Sequence, residues 1–284
     1  MTEFIKKNGS ISTVLEEQRI FYPNEEFKKS ACIKSYEEYK KMYEYSIKDP
    51  EGFWAEQAQL LDWIRPFKKV FEGDFSDGEH KWYLGGKLNA SVNCIDRHLS
   101  TWRKNKAAII WQGENREETR IITYNELYNQ VCRFANALKK WGVCKGDRVA
   151  IYMPMIPEVA VAMLACSRIG AIHNVVFGGF SAESLRERIN DCGARLVITA
   201  DAGIRRGSLI RLKDSVDEAL ESCPGVHTCI VVRHTGTDIN FWTQRDKWWH
   251  QEVNAPDIAL TCPPEVMDAE DPLFILYTSG STGK

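Results

Sequence analysis

The residues of this chain best suited to chemistry are the last eight, 277–284, which combine hydroxyl groups, glycines and one lysine. Glycines let a backbone turn tightly and bring its N–H groups close to an anion. Serine and threonine hydroxyls add hydrogen-bond donors, and a lysine adds a positive charge that attracts phosphate oxygens. The segment therefore predicts a phosphate-binding loop, and a flexible Gly/Ser tail is the plain structural alternative.

The common P-loop of nucleotide triphosphatases is a poor match for this segment. That loop needs a glycine five positions before its Gly-Lys pair, where this chain has Thr278. A P-loop phosphotransferase stays open as an alternative function, but Thr278 disfavours it. The predicted phosphate-binding residues are Thr278, Ser279, Gly280, Ser281, Thr282, Gly283 and Lys284.

Two further groups of residues lie where predicted strands end. Phe177, Gly178 and Gly179 stand between a strand and a helix, where paired glycines allow close backbone approach and a helix N-terminus offers unpaired N–H groups. A plain strand-to-helix turn explains the same spacing. The segment 201–213 carries four cations, and an arginine can grip phosphate through its planar fork of donors. A solvated helix start is the alternative for this second group.

Composition limits the classes of function. The 284 residues carry a net charge of −2, which gives no general attraction to nucleic acid or to an anionic membrane. Residues 1–7 do not resemble a signal peptide, and the longest apolar run is too short to span a membrane. Nine scattered cysteines without a C-x-x-C pair predict a reduced, cytoplasmic protein without structural zinc.

Strands of uniform apolar character alternate with helices after residue 123, which predicts an α/β fold with a parallel sheet covered on both faces. Ligands of such sheets bind at the carboxyl ends of the strands, where all the groups named above fall. We predict an N-terminal extension, 1–100, packed on a large α/β domain, 101–284. The predicted strands are 149–153, 172–177, 196–199, 229–232 and 273–277. The predicted helices are 36–47, 53–64, 124–142, 157–168, 182–190 and 209–221.

Several stretches together resemble the AMP-forming acetyl-CoA synthetases of the acyl-adenylate-forming superfamily. These stretches are 49–54, 61–64, 93–98, 151–158, 172–181 and the terminal loop. They run from about residue 36 to the end of the chain, and the early Trp/Asp/Arg/His segments are more specific than the loop. The resemblance implies a layered parallel-sheet adenylate-forming fold, incomplete in this chain.

The resemblance also implies a two-step reaction. A carboxylate, such as acetate, attacks the α-phosphorus of Mg-ATP and gives an acyl-AMP and pyrophosphate; coenzyme A then displaces AMP. The terminal loop would hold the β- and γ-phosphates. The residues implied to bind coenzyme A are Phe177, Gly178, Gly179, Arg205, Arg206, Gly207 and Ser208. Ser208 stands where the family usually has a second cation, so we expect this chain to bind the coenzyme A phosphates more weakly.

The family's acyl pocket, magnesium-binding acid and catalytic lysine lie downstream of the matching segment. We therefore predict no catalytic residue and no metal ligand in this chain, and no acyl-CoA formation by the chain alone. Propionate or another short acid as substrate stays open, as does a truncated, non-catalytic module that binds coenzyme A or nucleotide. No sequence feature specifies an oligomeric state.

Overall fold

The computed structural model describes residues 6–7, 10–11, 21–74, 76 and 78–278. The chain divides into two compact units, Met1–Gln57 and Ala58–Lys284. The predicted division into 1–100 and 101–284 stays a prediction. In the described part of the chain, no helix combines the length and the apolar character that crossing a membrane requires.

The first unit contains a two-stranded antiparallel pair and helices with polar caps. Strands β1 and β2 are Lys6–Lys7 and Ser10–Ile11, and helices α1, α2 and α3 are Glu25–Ser30, Tyr36–Lys48 and Pro50–Ala58. Helix α3 starts earlier and ends earlier than the predicted 53–64. Its start at Pro50 follows from the fixed φ and missing N–H of proline, which suit the first helical position.

The second unit is built around a six-stranded, fully parallel sheet in the order β14-β13-β10-β8-β9-β16. Its strands are β8 Arg148–Met153, β9 Ile172–Phe177, β10 Leu196–Ala200, β13 Thr228–Val232, β14 Asp246–Trp248 and β16 Phe274–Ile275. Strands β10 and β13 are buried at every position, as expected for a sheet covered on both faces. The predicted parallel α/β fold is confirmed.

The helices that precede and connect these strands explain the layering. They are α5 Tyr124–Lys140, α6 Pro157–Arg168, α7 Ala182–Cys192, α8 Leu212–Leu220 and α9 Trp249–Val253. The chain passes from β8 through α6 to β9 on one side of β8, and then through α7 to β10 on its other side. Because parallel crossovers are right-handed, this reversal puts α6 and α7 on opposite faces. It also creates a topological switch point beside β8, where such sheets bind ligands.

Short elements complete the second unit. Antiparallel pairs form between β3 Lys69–Asp74 and β4 Glu79–Leu84, between β5 Lys87–Leu88 and β15 Met267–Asp268, between β6 Ala107–Gln112 and β7 Thr119–Thr123, and between β11 Gly203–Arg205 and β12 Ser208–Ile210. Three short helical elements lie in the chain between β5 and β6. They are a π-helical turn Val92–Asp96, helix α4 Arg97–Leu99 and a 3₁₀ turn Trp102–Asn105.

A capping box starts helix α5. The Thr123 hydroxyl accepts the Glu126 N–H at 3.2 Å, and the Glu126 carboxylate accepts the Thr123 N–H at 2.7 Å. Two of the first unpaired N–H groups of the helix are thereby satisfied. This cap fixes where the chain leaves β7 and enters the first helix of the layered core.

Candidate functional site

A cleft of about 440 Å³ opens at the switch point of the sheet. Its walls come from the ends of β8 and β9, from the hairpin β11–β12 and from the start of α8. Most of the lining is apolar, and the charged residues in it are Glu114 and Arg205. A largely apolar cleft with a few polar groups at the carboxyl ends of parallel strands is typical of a ligand site.

The glycine turn after β9 forms one wall. The Phe180 N–H bonds the Phe177 carbonyl at 3.0 Å, and the buried Tyr152 hydroxyl donates to the Phe180 carbonyl at 2.7 Å. A Cβ on Gly178 would lie 2.8 Å from the Met153 carbonyl oxygen, so the backbone is pressed against the end of β8. Gly179 is crowded in the same way by the Phe177 ring. Only glycine fits both positions without a shift of neighbouring atoms.

The hairpin β11–β12 forms the opposite wall and corrects a prediction. The sequence predicted a helix from Leu209, but Ser208–Ile210 is a strand and α8 begins at Leu212. Arg206 and Gly207 at the tip have φ of 52° and 75°, the left-handed values that two-residue hairpin turns of this twist require. The turn reverses the chain, which pairs Arg205 with Ser208. An arginine in the left-handed region is uncommon, so the residue types at this turn did not indicate a hairpin.

Two of the predicted coenzyme A groups meet across the cleft. The guanidinium carbon of Arg205 lies 5.0 Å from the centre of the Phe177 ring, within the range of a cation–π contact. Phe177, Gly178 and Arg205 line the cleft, whereas Gly179 lies behind Phe177 against the Arg205 side chain. Arg206, Gly207 and Ser208 are exposed at the hairpin tip and do not line the cleft.

The other cations near this hairpin are engaged elsewhere. Arg211 pairs with Asp214 and donates to the Asp238 carbonyl at 2.8 Å. Lys213 has no exposed side-chain surface, and its Nζ lies 2.6 Å from Asp217 and 2.8 Å from Asp246. The interpretation of all four cations as an anion site therefore does not hold: Lys213 belongs to a buried ion network.

The base of the hairpin is fixed by a carboxylate that the sequence analysis did not single out. Asp201 follows β10, is fully buried and accepts N–H groups of Ala202 at 2.7 Å, His234 at 2.9 Å and Gly236 at 2.7 Å. These bonds join the loops after β10 and β13, because both loops leave the sheet at the same edge. The partners of Asp201 in the loop after β13 lie over thirty residues away in the chain, so no local pattern marks its role.

Glu114 was also missed as a residue of the cleft. It follows β6, far from the other lining residues in sequence, and its Oε1 accepts the Gly207 N–H at 3.1 Å. The bond ties the hairpin tip to the loop between β6 and β7. A single glutamate in a polar loop carries no signal that would have predicted this contact.

Strand β16 brings the start of the predicted phosphate loop to the same edge of the sheet. It pairs in parallel with β9, is shorter than the predicted 273–277, and is followed by Leu276, which lines the cleft. The Tyr277 hydroxyl donates to Asp191, and burial together with this bond raises the pKa of Tyr277. Thr278 is described; Ser279, Gly280, Ser281, Thr282, Gly283 and Lys284 lie outside the described residues.

In the described ranges there is no group of three or more His, Cys, Asp or Glu side chains that could hold a metal ion. All nine cysteines are free thiols. The arrangement offers an apolar cleft, one guanidinium at its mouth and a glycine turn at the start of a helix. These groups suit a ligand with an elongated apolar part and an anionic part.

Two family models match the chain. The model described as AMP-binding enzyme matches residues 95–284, and the model described as acetyl-coenzyme A synthetase N-terminus matches residues 39–94. The two matches together cover the sheet, the cleft and helix α3.

Curated relatives match over most of this chain. An acetyl-coenzyme A synthetase 2 from Pseudomonas putida is 56% identical over 87% of this chain and 38% of its own length. An acetyl-coenzyme A synthetase from Syntrophobacter fumaroxidans is 56% identical over 93% of this chain and 40% of its own length. The chain thus spans about two fifths of the length of these relatives.

A solved structure is also similar. The acetoacetyl-CoA synthetase from Streptomyces lividans matches with a TM-score of 0.75 and 26% sequence identity, over 84% of this chain and 36% of that chain. The similarity extends the agreement from sequence to the arrangement of the layers.

Proposed function

Because the chain belongs to the family of AMP-binding enzymes, we propose that it forms the N-terminal part of an AMP-forming acetate–CoA ligase. The names of relatives that are 56% identical support acetate as the acid. The proposed reaction converts acetate, ATP and coenzyme A into acetyl-CoA, AMP and pyrophosphate through acetyl-AMP. We also propose a cytoplasmic location, which the nine free thiols support.

The observation that carries this proposal is the meeting of three separate segments at one edge of the sheet. The glycine turn 177–179, Arg205 and the end of β16 surround the cleft at the switch point. The phosphate loop was singled out from its residues, and the glycine turn and Arg205 were assigned to coenzyme A through the family resemblance. Their convergence in space supports a single site that handles both substrates.

For coenzyme A, we propose that Arg205 binds a phosphate group and that the apolar cleft holds the pantetheine arm. The guanidinium of Arg205 lies at the cleft mouth, over the Phe177 ring. Because this contact uses the face of the guanidinium, its N–H groups can still donate to an anion. Gly178 and Gly179 keep the wall free of side chains, so an extended chain could approach the backbone. Arg206, Gly207 and Ser208 at the exposed hairpin tip would add polar contacts.

For ATP, we propose that Thr278 and the residues that follow it hold the β- and γ-phosphates. Thr278 leaves the sheet at the same edge as Phe177 because β16 runs parallel to β9. Mg²⁺ would enter as part of the substrate Mg-ATP. The role of this loop is to neutralise phosphate charge, since a carboxylate must approach a polyanion.

The proposed reaction has two steps, each of which forms one bond and breaks one bond. An acetate oxygen attacks the α-phosphorus, which forms the acyl-phosphate bond and breaks the bond to pyrophosphate. The coenzyme A sulfur, as thiolate, then attacks the acetyl carbon, which forms the thioester and releases AMP. In both steps the contribution of this chain is to position the reactants and to neutralise their charge. Positioning alone can lower the activation free energy by up to about 7–11 kcal/mol.

The test is an assay of the full-length ligase encoded by the complete gene. We expect acetate-dependent exchange of pyrophosphate into ATP without coenzyme A, and AMP with acetyl-CoA when coenzyme A is added. Propionate and butyrate in place of acetate would rank the acids. Release of ADP instead of AMP would contradict the proposal and indicate phosphotransfer.

A further inference from the structure

A row of five side chains links the proposed coenzyme A wall to the start of the proposed phosphate loop. The row consists of Arg205, Phe177, Phe180, Arg188 and Tyr277. The Phe177 and Phe180 rings meet edge to face at 5.7 Å between their centres. Every neighbouring pair in the row is either a cation over a ring or two rings in contact. The row therefore runs without a break from one loop to the other.

Arg188 is the member shared by the two loops. Its guanidinium carbon lies 4.8 Å from the centre of the Phe180 ring and 5.2 Å from the centre of the Tyr277 ring. The guanidinium also donates to the Ser184 carbonyl at 2.8 Å and to the Ser184 hydroxyl, one turn earlier on α7. Because its own helix anchors it, Arg188 presents a fixed cation to both rings.

Each of the two segments is also held at a second point, one by helix α7 and the other by strand β8. The Tyr277 hydroxyl donates to Asp191 on α7, and Tyr277 directly precedes Thr278. On the other side, Phe180 follows Gly179 and is tied through its carbonyl to Tyr152 of β8. Neither Arg188 nor Asp191 lines the cleft, so their contribution would come through the two loops and not by contact with a substrate.

We propose that Arg188 is a positioning residue that holds Tyr277, which leads into the proposed phosphate loop, together with the proposed coenzyme A wall, so that both substrates depend on one side chain. This inference rests on the proposed function and deepens it. Most residues that serve one substrate leave the other unaffected. Arg188 differs because its cation contacts the residue before Thr278 and the residue after Gly179 at the same time.

The test uses the full-length ligase with Arg188→Met, which keeps an unbranched side chain of similar reach but removes the cation. We expect the KM for ATP in acetate-dependent pyrophosphate exchange to rise about three- to tenfold, and the KM for coenzyme A in the complete reaction to rise by a similar factor, as the loss of one or two cation–π contacts implies. Arg188→Lys, which retains a cation, should recover part of both values.

The matched control is Arg186→Ala on the same helix. Arg186 pairs with Glu183 at 3.3 Å on the surface and contacts none of the five side chains of the row. Both KM values should stay within twofold of the unmodified ligase. Equal melting temperatures of the Arg188 and Arg186 variants would separate positioning from general loss of stability.

A reciprocal experiment keeps the proposal testable if Arg188→Met folds poorly. Tyr277→Leu should raise the KM for coenzyme A, although Tyr277 belongs to the nucleotide side. Phe180→Leu should raise the KM for ATP, although Phe180 belongs to the coenzyme A side. In the presence of Arg188→Lys both crossed effects should shrink, because the weaker cation couples the rings less.

Each outcome has one meaning. Joint increases in both KM values with Arg188→Met, or crossed effects in the ring variants, support the proposal. If Arg188→Met folds, an increase in only one KM value, or in neither, overturns the proposal. If Arg188→Met does not fold, the absence of crossed effects in the ring variants overturns it, and both results leave the ligase function intact. Absence of acetate-dependent exchange in the unmodified ligase would instead overturn the proposed function.

Discussion

Gly178 is the residue on which the shape of the cleft wall depends. An added Cβ would lie 2.8 Å from the Met153 carbonyl oxygen and 3.2 Å from the Leu212 side chain. Gly178→Ala should therefore force backbone movement at the end of β8 and lower the free energy of unfolding by about 1–3 kcal/mol. Urea titration of the purified protein measures this change.

Gly225→Ala is the matched control for Gly178, because an added Cβ there would come no closer than 3.8 Å to any other atom. This control should stay within about 0.5 kcal/mol of the unmodified protein. Equal stability of the two alanine variants would mean that the wall yields to a methyl group without cost, contrary to the crowded geometry.

His173 is the residue that should make stability depend on mildly acidic pH. It is buried in β9, its Nδ1 has no hydrogen-bond partner in the described part of the chain, and burial lowers its pKa to about 4. An unfolded histidine has a pKa near 6.5, so between about pH 6.5 and 4 the unfolded chain binds the extra proton. Stability contributed by the neutral ring is complete above that window and is lost as the pH falls through it.

His173→Gln should remove this dependence, because glutamine does not titrate. We expect the unmodified protein to lose up to about 3 kcal/mol more than the variant between pH 7 and pH 4. Urea midpoints at several pH values measure the difference, with the exposed His250→Gln as control. Parallel pH profiles of His173→Gln and the unmodified protein would rule out a buried neutral histidine.

At the scale of elements, the start of α8 is joined to the loop before β14 by a buried ion network. Lys213 of α8 contacts Asp217 one turn later and Asp246 of β14, and Arg245 pairs with both acids. Burial alone would raise the pKa of Asp246, but hydrogen bonds from Arg245 and Lys213 outweigh it and lower the pKa. The network thus fixes the helix behind the cleft to the edge of the sheet.

Lys213→Met should destabilise the protein by about 3–5 kcal/mol, because it leaves buried carboxylates with one cation fewer. Thermal and urea unfolding measure the loss. Arg211→Met is the control, since its pair with Asp214 is half exposed and is worth at most about 1 kcal/mol. Similar losses in the two variants would show that burial adds nothing to the Lys213 pair.

At the scale of the whole molecule, the layered core could be predicted from sequence because each of its signals is local. Helix α6 and strand β9 have the bounds predicted for them, 157–168 and 172–177. Pro157 starts the helix, Gly170 with a φ of 72° ends it, and the mostly apolar run Ile172–Phe177 follows. Helical crossovers between successive strands make the strands parallel, and ligands of parallel sheets bind at the carboxyl ends of the strands. The edge of the sheet at which the candidate site lies could therefore also be predicted.

The hairpin and the contacts across the cleft could not be predicted in the same way. The turn at Arg206 needs a left-handed arginine, which its residue type does not favour. The hairpin is also held by contacts between distant parts of the chain: Glu114 bonds its tip, and Asp201 at its base bonds the loop after β13. Phe177, Gly178 and Arg205 of the cleft were named in advance and Glu114 was not, and tertiary contacts decided which of the named residues line the cleft. Arg205 faces the cleft and Arg206 does not, although they are adjacent in sequence.

The central claim is that Arg205 and the glycine turn form the coenzyme A side of a ligase site. The most direct test compares Arg205→Ala with unmodified full-length ligase in both half-reactions. We predict a KM for coenzyme A raised about tenfold or more, as loss of one charge-assisted contact implies, with acetate-dependent pyrophosphate exchange unchanged. Arg195→Ala, at the opposite end of β10 and paired with Asp147 on the surface, should change neither. Slower exchange with an unchanged KM for coenzyme A would contradict the account.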